Sequence, residues 1–128
     1  MKIGDVARIT GLSVKSIRYY HDIKLVSAKR GDNGYREYDD RALENLHFVH
    51  QCREMGFSVE ECRSLLSLKQ NPSRAAGEVK ALAKAHLDLI AAKIVRMQAL
   101  QKQLGALVEQ CQGGNQPDCP ILNSLSQP

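Results

Sequence analysis

The stretch that decides the fold runs from Ile3 to Val26 and reads "IGDVARITGLSVKSIRYYHDIKLV". Its apolar residues recur at helical spacing on both sides of a break at Thr10-Gly11. Glycine tolerates the left-handed backbone conformation that closes helices, and Ser13 is a good N-cap for a second helix. The stretch therefore predicts a helix, a tight turn and a second helix. In this helix-turn-helix arrangement the second helix enters the major groove of DNA.

A short hairpin is predicted immediately after these helices. Residues 29–38 read "KRGDNGYREY" and place Asn33-Gly34 between two segments of β-compatible residues. Because both residues accept a positive φ, Asn-Gly is a strong signal for a two-residue hairpin turn. We interpret the hairpin as a basic wing with three side chains able to reach phosphates beside the groove: Arg30, Tyr35 and Arg36. A hairpin that only caps the core is the alternative.

The positive charge of the chain is concentrated in this head. The formal net charge is +4. Residues 1–38 hold eight basic and four acidic side chains, and the ten basic and ten acidic side chains of the remainder cancel. Lys and Arg gain affinity for nucleic acid by releasing counterions from phosphates, so a basic head favours a polyanionic partner. A solvated face of mixed charge is the alternative explanation.

Three further helices are predicted in the rest of the chain. Residues 39–55 begin with aspartates suited to capping and stop at Gly56, and a second helix runs from the capping box of Ser58 and Glu61 to about Leu68. After a break at Pro72, no proline occurs between about Arg74 and Gln110. This last stretch predicts one helix of about 55 Å at about 1.5 Å per residue.

The long helix has a heptad seam. Seven of eight seam positions are apolar, and the polar one, Gln101, is suited to fixing the register of a coiled coil. A helix this long needs a partner beyond its own small head, and we expect a homodimer that reads a palindromic site. A helix folded back on its own head is the alternative. The seam consists of Ala83, Leu87, Ile90, Ile94, Met97, Gln101, Leu104 and Val108.

A loop with two cysteines follows the long helix, reading "CQGGNQPDCP" from Cys111 to Pro120. The chain has four cysteines, too few and too scattered for a secreted disulfide scaffold. No apolar run approaches the length of a membrane span, and no targeting leader is recognisable. We therefore expect a cytoplasmic protein with free thiols and no membrane association. No catalytic motif is recognisable either, so an enzyme is not expected.

The chemistry of the loop favours a soft metal ion. Two thiolates separated by seven residues can converge on one ion, and soft sulfur ligands favour Cu(I) and related d10 ions. Zinc normally takes four ligands, and the loop offers only Asp118 besides Cys111 and Cys119. A disulfide, or two incidental thiols, is the alternative.

The segments "MKIGDVARITGLSVKSIRYYHDIKLV", "NGYREY" and "REMGFSVEE" resemble the MerR family of bacterial transcription regulators. The resemblance covers essentially the whole chain. "EVK" near the start of the long helix, with the two cysteines and the following "PI", resembles the copper-efflux branch of that family. The resemblance implies an antiparallel coiled-coil dimer on an overlong promoter spacer, which metal binding bends and untwists so that RNA polymerase engages both promoter elements.

The resemblance also assigns individual residues. It implies DNA contacts by the following side chains: Ser13, Lys15, Arg18, Tyr20, Tyr35 and Arg36. Lys24 stands where many relatives have a turn glycine, and the stretch before "NGYR" is one residue shorter than in some copper regulators. Divalent-ion sensors of the family have a cysteine, and monovalent sensors a serine, at the position that aligns with Ala76. Lys80 aligns with a lysine close to the metal.

These observations predict a mostly α protein in three parts: a winged helix-turn-helix DNA-binding domain over 1–70, a dimerisation helix over 71–110, and a metal-binding loop with a C-terminal tail over 111–128. The predicted function is a copper-responsive activator of copper-efflux genes that binds Cu(I), with Ag(I) or Au(I) able to substitute, through Cys111 and Cys119. Two alternatives stay open: a thiol-redox sensor that pairs these cysteines as a disulfide, and a metal-buffering protein without DNA binding.

Overall fold

The computed structural model describes all 128 residues and contains six helices and one two-stranded antiparallel hairpin. The chain divides into two compact units, Met1–Val79 and Lys80–Pro128, which we describe separately. In chain order the elements are α1 (Ile3–Thr10), α2 (Val14–Asp22), β1 (Lys29–Arg30), β2 (Arg36–Glu37), α3 (Asp40–Glu54), α4 (Val59–Gln70), α5 (Ala76–Gln110) and α6 (Pro120–Leu125).

The predicted helix-turn-helix is confirmed, with the expected residues at the turn. Gly11 has a φ of 80° and its N–H donates to the Ala7 carbonyl at 3.0 Å, which closes α1. Ser13 lies at the N-cap of α2, where its hydroxyl oxygen accepts from the Ser16 N–H at 3.0 Å. The turn therefore satisfies backbone groups at both helix ends within four residues.

The end of α2 is unusual because a lysine adopts the conformation usually given to glycine. Lys24 has a φ of 60°, and it is the one non-glycine residue with a positive φ. Its N–H donates to the His21 carbonyl at 3.0 Å and the Leu25 N–H donates to the Tyr20 carbonyl at 2.9 Å. These two bonds form a Schellman motif, in which Lys24 holds the left-handed position.

The wing is a hairpin, but its turn differs from the predicted one. The Gly31 N–H donates to the Tyr35 carbonyl at 2.7 Å and the Gly34 N–H donates to the Gly31 carbonyl at 3.0 Å, so the loop holds three residues, 32–34. Only Gly34 has a positive φ, of 81°. The predicted two-residue turn is wrong because Asn33 instead uses its side-chain oxygen to accept from the Tyr35 N–H at 3.1 Å.

The first unit has one hydrophobic core, to which α1, α2, α3, α4 and both ends of the wing contribute. Asp39 caps α3 by accepting from the Ala42 N–H, and the predicted capping box of Ser58 and Glu61 is present at the start of α4. The core holds α2 and the base of the wing together in one packed head. Its buried members are Val6, Leu12, Ile17, Tyr20, Leu25, Val26, Tyr38, Ala42, Leu46, Val49 and Leu66.

The second unit is dominated by α5, whose 35 residues confirm the predicted long helix. At about 1.5 Å per residue it extends about 52 Å. Many of its apolar side chains are exposed, including Leu87, Ile94, Met97, Leu104 and Val108 of the heptad seam. No helix in the chain combines the length and the apolar character needed to cross a bilayer.

The short helix α6 was not expected from the sequence, which predicted a loop and tail over 111–128. It spans six residues, with Cys119 at its N-cap and Pro120 in its first turn. Proline is favoured at the first helical position because its missing N–H would be unpaired there in any case. Cys119-Pro120 was therefore the available signal for this helix.

Candidate functional site

The recognition helix α2 presents a basic face. Lys15 and Arg18 are three residues apart and both are exposed. Ile17 lies between them in sequence and is fully buried, which fixes the rotation of the helix on the core. The cap residue Ser13 is also exposed at the start of the helix.

The wing brings two predicted residues next to this face. Tyr35 is 70% exposed, and Arg36 lies on β2 at the base of the hairpin. A cavity of about 440 Å³ lies between the wing and the helices, with three of the six predicted DNA-binding residues in its wall. Its lining consists of Lys2, Ile3, Arg18, Arg30, Asn33, Gly34, Tyr35 and Arg36.

The two tyrosines of α2 have different environments. Tyr20, the predicted backbone contact, lies in the hydrophobic core and is 6% exposed. Tyr19 is 51% exposed and its ring lies 5.9 Å from that of Tyr20. Tyr20 therefore helps to seat α2 on the core, and Tyr19 is the aromatic side chain that α2 offers to a partner.

Salt bridges hold the wing to the start of α1. The Glu37 carboxylate on β2 pairs with the Lys2 ammonium and accepts from the Met1 α-amino group at 3.1 Å. The Lys2 hydrogen bond and the Met1 amine together hold the pKa of Glu37 below its ordinary value. The Tyr38 N–H also donates to the Met1 carbonyl at 2.9 Å. Charge patterning alone did not predict this link.

A histidine joins the recognition helix to the wing. The His21 Nε2 lies 2.8 Å from the Tyr38 hydroxyl, and the two rings meet edge to face. Burial lowers the pKa of His21, Arg36 lowers it further, and Asp22 opposes them. His21 is thus held toward its neutral form beside a predicted DNA-binding arginine. No motif or residue spacing in the sequence indicates this pairing.

The two cysteines of the C-terminal loop converge. The Cys111 and Cys119 sulfurs lie 3.9 Å apart, and both cysteines are free. The backbone between them turns through Gly113 and Gly114, each with a φ of 73°. The loop that brings the thiols together therefore uses backbone conformations that residues other than glycine rarely adopt.

The start of α6 favours the thiolate form of one of these cysteines. The backbone amide of Leu122, followed by that of Ile121, lowers the pKa of Cys119 below its ordinary value, since amides at a helix start stabilise the thiolate. By contrast, Cys52 and Cys62 are buried in the first unit, and burial raises the pKa of Cys62 to about 11. Of the four cysteines, those in the loop are suited to bind a metal ion.

The sulfur separation fits two ligands to one ion. A metal–thiolate bond is about 2.3 Å long, so two sulfurs on one ion lie no more than about 4.6 Å apart. The observed 3.9 Å is within this reach. No group of three or more His, Cys, Asp or Glu side chains in the chain is placed to hold a metal ion.

Lys80 does not reach these thiols within one chain. It lies near the start of α5, whereas Cys111 follows the end of this helix. At about 1.5 Å per residue the two are about 46 Å apart along the helix axis. Only a second copy of the chain could bring a Lys80 side chain to the loop.

Known proteins similar to this chain are also helix-turn-helix regulators. The family model for MerR helix-turn-helix regulatory proteins matches residues 1–69, and that for MerR DNA binding matches residues 43–107. The chain is 44% identical to the transcriptional regulator HmrR of Rhizobium leguminosarum bv. viciae over 98% of each chain. It is 43% identical to CueR of Yersinia pestis, with 98% of this chain and 91% of that relative covered.

A solved structure extends this similarity to three dimensions. PbrR691 from Ralstonia metallidurans CH34, determined in complex with lead(II), is 32% identical to the chain. The TM-score is 0.78, and the match covers 98% of this chain and 99% of PbrR691. The fold of the chain, with its winged head and its long helix, is therefore one found among solved regulators.

Proposed function

Because the chain belongs to the MerR family of helix-turn-helix regulatory proteins, we propose that it is a metal-responsive activator of transcription whose signal is Cu(I). It is a DNA-binding regulator by family. The observation that carries the copper proposal is the 3.9 Å approach of Cys111 and Cys119. Soft thiolate ligands select monovalent d10 ions, so Ag(I) and Au(I) would substitute.

The loop is a two-ligand site in this proposal. Ala76 begins α5 and has only a methyl group, so this position supplies neither the cysteine nor the serine of related sensors. PbrR691, bound to lead(II), is a relative that binds a divalent ion. For the present chain, two sulfurs without a third side-chain ligand favour a monovalent ion. Bound Cu(I) would tie the end of α5 to the start of α6.

The output of the switch is the basic head over 1–70. Lys15 and Arg18 contact the major groove and its phosphates, Tyr35 and Arg36 contact phosphates from the wing, and Ser13 adds a contact at the start of α2. Tyr20 makes a narrower contact, through the small part of its surface that the core leaves open. We assign 71–110 to dimerisation and 111–128 to metal binding.

The regulator works as an antiparallel homodimer in this proposal. Two α5 helices that run in opposite directions bring the start of one helix to the thiol loop of the other. A Lys80 ammonium would there balance the charge of two thiolates and one monovalent cation. The two heads bind a palindromic operator with an overlong spacer, and metal binding distorts it so that RNA polymerase engages both promoter elements of copper-efflux genes.

The test separates metal binding from DNA binding. We expect Cys111→Ser and Cys119→Ser each to abolish copper-induced transcription and to leave operator affinity within about twofold, because the thiols lie outside the head. Arg18→Ala serves as the reciprocal control: it weakens operator binding with or without copper and retains the metal stoichiometry of the wild type.

Metal specificity is measured on the same proteins. Under strictly reducing conditions we expect one Cu(I) or Ag(I) per loop and no comparable binding of Zn(II) or Pb(II). Full copper induction in both serine variants would overturn the metal-loop proposal. Tight binding of Pb(II) with transcriptional induction would overturn the choice of a monovalent ion and leave the metal-responsive role in place.

A further inference from the structure

Lys24 combines an uncommon backbone conformation with an exposed, charged side chain. Its φ of 60° is disfavoured for any residue except glycine, with asparagine and aspartate the usual exceptions. Such conformations cost of order 1–3 kcal/mol and cluster at functional sites. The Schellman motif at the end of α2 requires only the backbone of Lys24, so the motif itself gives no reason for a lysine.

The lysine lies in the wall of a second cavity, which shares two wing arginines with the cavity described above. This cavity has a volume of about 420 Å³ and contains four basic side chains without a carboxylate in its wall. Arg30 and Arg36 line both cavities. The lining consists of His21, Lys24, Val26, Ser27, Ala28, Arg30 and Arg36.

The geometry of the wing keeps this cavity basic. One guanidinium nitrogen of Arg30 donates to the Gly34 carbonyl at 2.9 Å, which holds the arginine on its own hairpin and away from any carboxylate partner. Of the two acidic residues of the wing, Glu37 is paired with Lys2 and the Met1 amine, and Asp32 forms no salt bridge. The cationic charge that lines the cavity is therefore not neutralised by an ion pair within the wing.

His21 is the titratable group in this wall. Five groups in total, drawn from the neighbouring segments, face His21 or act on its charge. They are Asp22 on its own helix, Lys24 after that helix, Arg30 on β1, Arg36 on β2, and the Tyr38 hydroxyl at 2.8 Å. Only Asp22 among them carries negative charge. A proton on His21 would therefore add to an excess of positive charge unless an anion entered the cavity.

We propose that this second cavity binds a backbone phosphate of the operator through Lys24, Arg30 and Arg36, and that His21 takes up a proton when the phosphate enters. The proposal rests on the DNA-binding role of the head and adds Lys24 and His21 to the phosphate contacts already predicted for the wing arginines. In this proposal the strained backbone of Lys24 is retained because its side chain contacts a phosphate, which glycine could not do. The DNA-facing surface then wraps both sides of the wing.

The direction of the pH effect follows from the charges. In the free protein, burial and Arg36 hold the pKa of His21 below its ordinary value of 6.5. A phosphate is an opposite charge, so it raises the pKa of His21 in the complex. Between the two values the complex holds more protons than the free protein, and affinity therefore increases as pH falls. Above both pKa values His21 is neutral in the free protein and in the complex, so its proton no longer contributes to affinity.

The phosphate contact is tested through the salt dependence of DNA binding. The probe is a labelled duplex selected for tight binding to the wild-type protein from a random-sequence pool. The slope of log K against log salt is negative, and each lost phosphate contact reduces its magnitude by about 0.9, so Lys24→Gly reduces the magnitude by about 1.8 in a dimer. Lys24→Arg keeps the charge and retains the wild-type slope. Lys84→Gln, a charge change on exposed α5, also leaves the slope unchanged.

Glycine suits the backbone of position 24, so the Lys24→Gly variant folds and its slope is interpretable. An unchanged slope for this variant would overturn the phosphate site. A slope of reduced magnitude in Lys84→Gln as well would also overturn it, since the effect would then be one of net charge. Failure of the wild type to select any duplex would instead overturn the DNA-binding role in the proposed function.

The proton uptake is tested by repeating the titration at constant salt between pH 7.5 and pH 5.5. We expect the wild type to tighten at least about threefold on acidification, through a linked proton at each head. His21→Gln retains a partner for the Tyr38 hydroxyl but cannot take up this proton, so it loses most of the effect. His47→Gln, at an exposed position of α3, retains it. Equal pH dependence in wild type and His21→Gln would overturn the proton uptake.

Discussion

At the scale of single residues, Lys24 keeps a positive charge at a position where glycine would make the folded protein more stable. Its left-handed conformation disfavours a β-carbon by roughly 1–2 kcal/mol, whereas glycine costs more chain entropy on folding, by roughly 0.5–1 kcal/mol. The first effect is the larger one at this φ. We therefore expect Lys24→Gly to raise the free energy of unfolding by about 0.5–1 kcal/mol, measured by urea denaturation.

The matched control for this substitution is Lys29→Gly. Lys29 is also an exposed lysine, but it lies in the extended strand β1, where a glycine gains no relief of strain. We expect this variant to lose about 0.5–1 kcal/mol because only the entropy term remains. A loss of stability in Lys24→Gly of the same size would show that the left-handed conformation is not strained.

At the scale of elements, Arg63 of α4 holds the end of the recognition helix. Its guanidinium donates to the Ile23 carbonyl at 2.9 Å and to the Lys24 carbonyl at 3.3 Å. Hydrogen bonds from charged donors contribute about 1.5–3 kcal/mol, and partial exposure of Arg63 lowers this. We expect Arg63→Ala to lower the free energy of unfolding by about 1–2 kcal/mol, with faster hydrogen exchange at the end of α2.

The neighbouring ion pair allows a control for this effect. Arg63 also lies 3.6 Å from Glu60, whose side chain is 81% exposed. An ion pair this exposed contributes little, so Glu60→Gln is expected to change stability by less than about 0.5 kcal/mol. If Glu60→Gln destabilised the protein as much as Arg63→Ala, the ion pair and not the carbonyl contacts would hold α2.

The elements also show what local sequence can predict. Gly11, Ser13 and the capping box of Ser58 and Glu61 act on backbone groups within four residues, so the sequence predicted these helix ends correctly. The type of the wing turn was predicted wrongly. An asparagine can shape a turn either through a positive φ or through a hydrogen bond accepted by its side-chain oxygen, as Asn33 does here, and residue spacing does not show which of the two occurs.

In the candidate sites, too, contacts within a short segment were predictable and contacts between distant segments were not. The convergence of Cys111 and Cys119 followed from a short loop with glycines, and the structure brings the sulfurs to 3.9 Å. The pairing of His21 with Tyr38 joins residues 17 positions apart, and that of Arg63 with Ile23 joins residues 40 apart. Such contacts depend on how the helices pack, which periodicity alone does not specify.

At the scale of the whole molecule, α5 leaves an apolar surface that a second copy would cover. A groove of about 490 Å³ along the helix is lined mostly by seam residues and their neighbours: Ile90, Lys93, Ile94, Met97, Gln98 and Gln101. Ile94 and Met97 are 53% and 64% exposed. Each buried CH₂ contributes about 0.8 kcal/mol, so pairing two such seams is strongly favourable in water.

Ile94 lies close to the midpoint of α5, where two antiparallel helices would place both copies of this residue together. We expect Ile94→Asp to convert the protein from a dimer to the 14.2 kDa monomer in analytical ultracentrifugation, since two carboxylates would be buried in the seam. The variant would also lose copper-induced transcription, because Lys80 and the thiol loop lie at opposite ends of one helix and would meet only across the proposed dimer. Ala92→Asp places the same charge on the opposite face of α5 and is expected to stay dimeric and inducible. A dimeric, inducible Ile94→Asp variant would show that the seam does not form the interface.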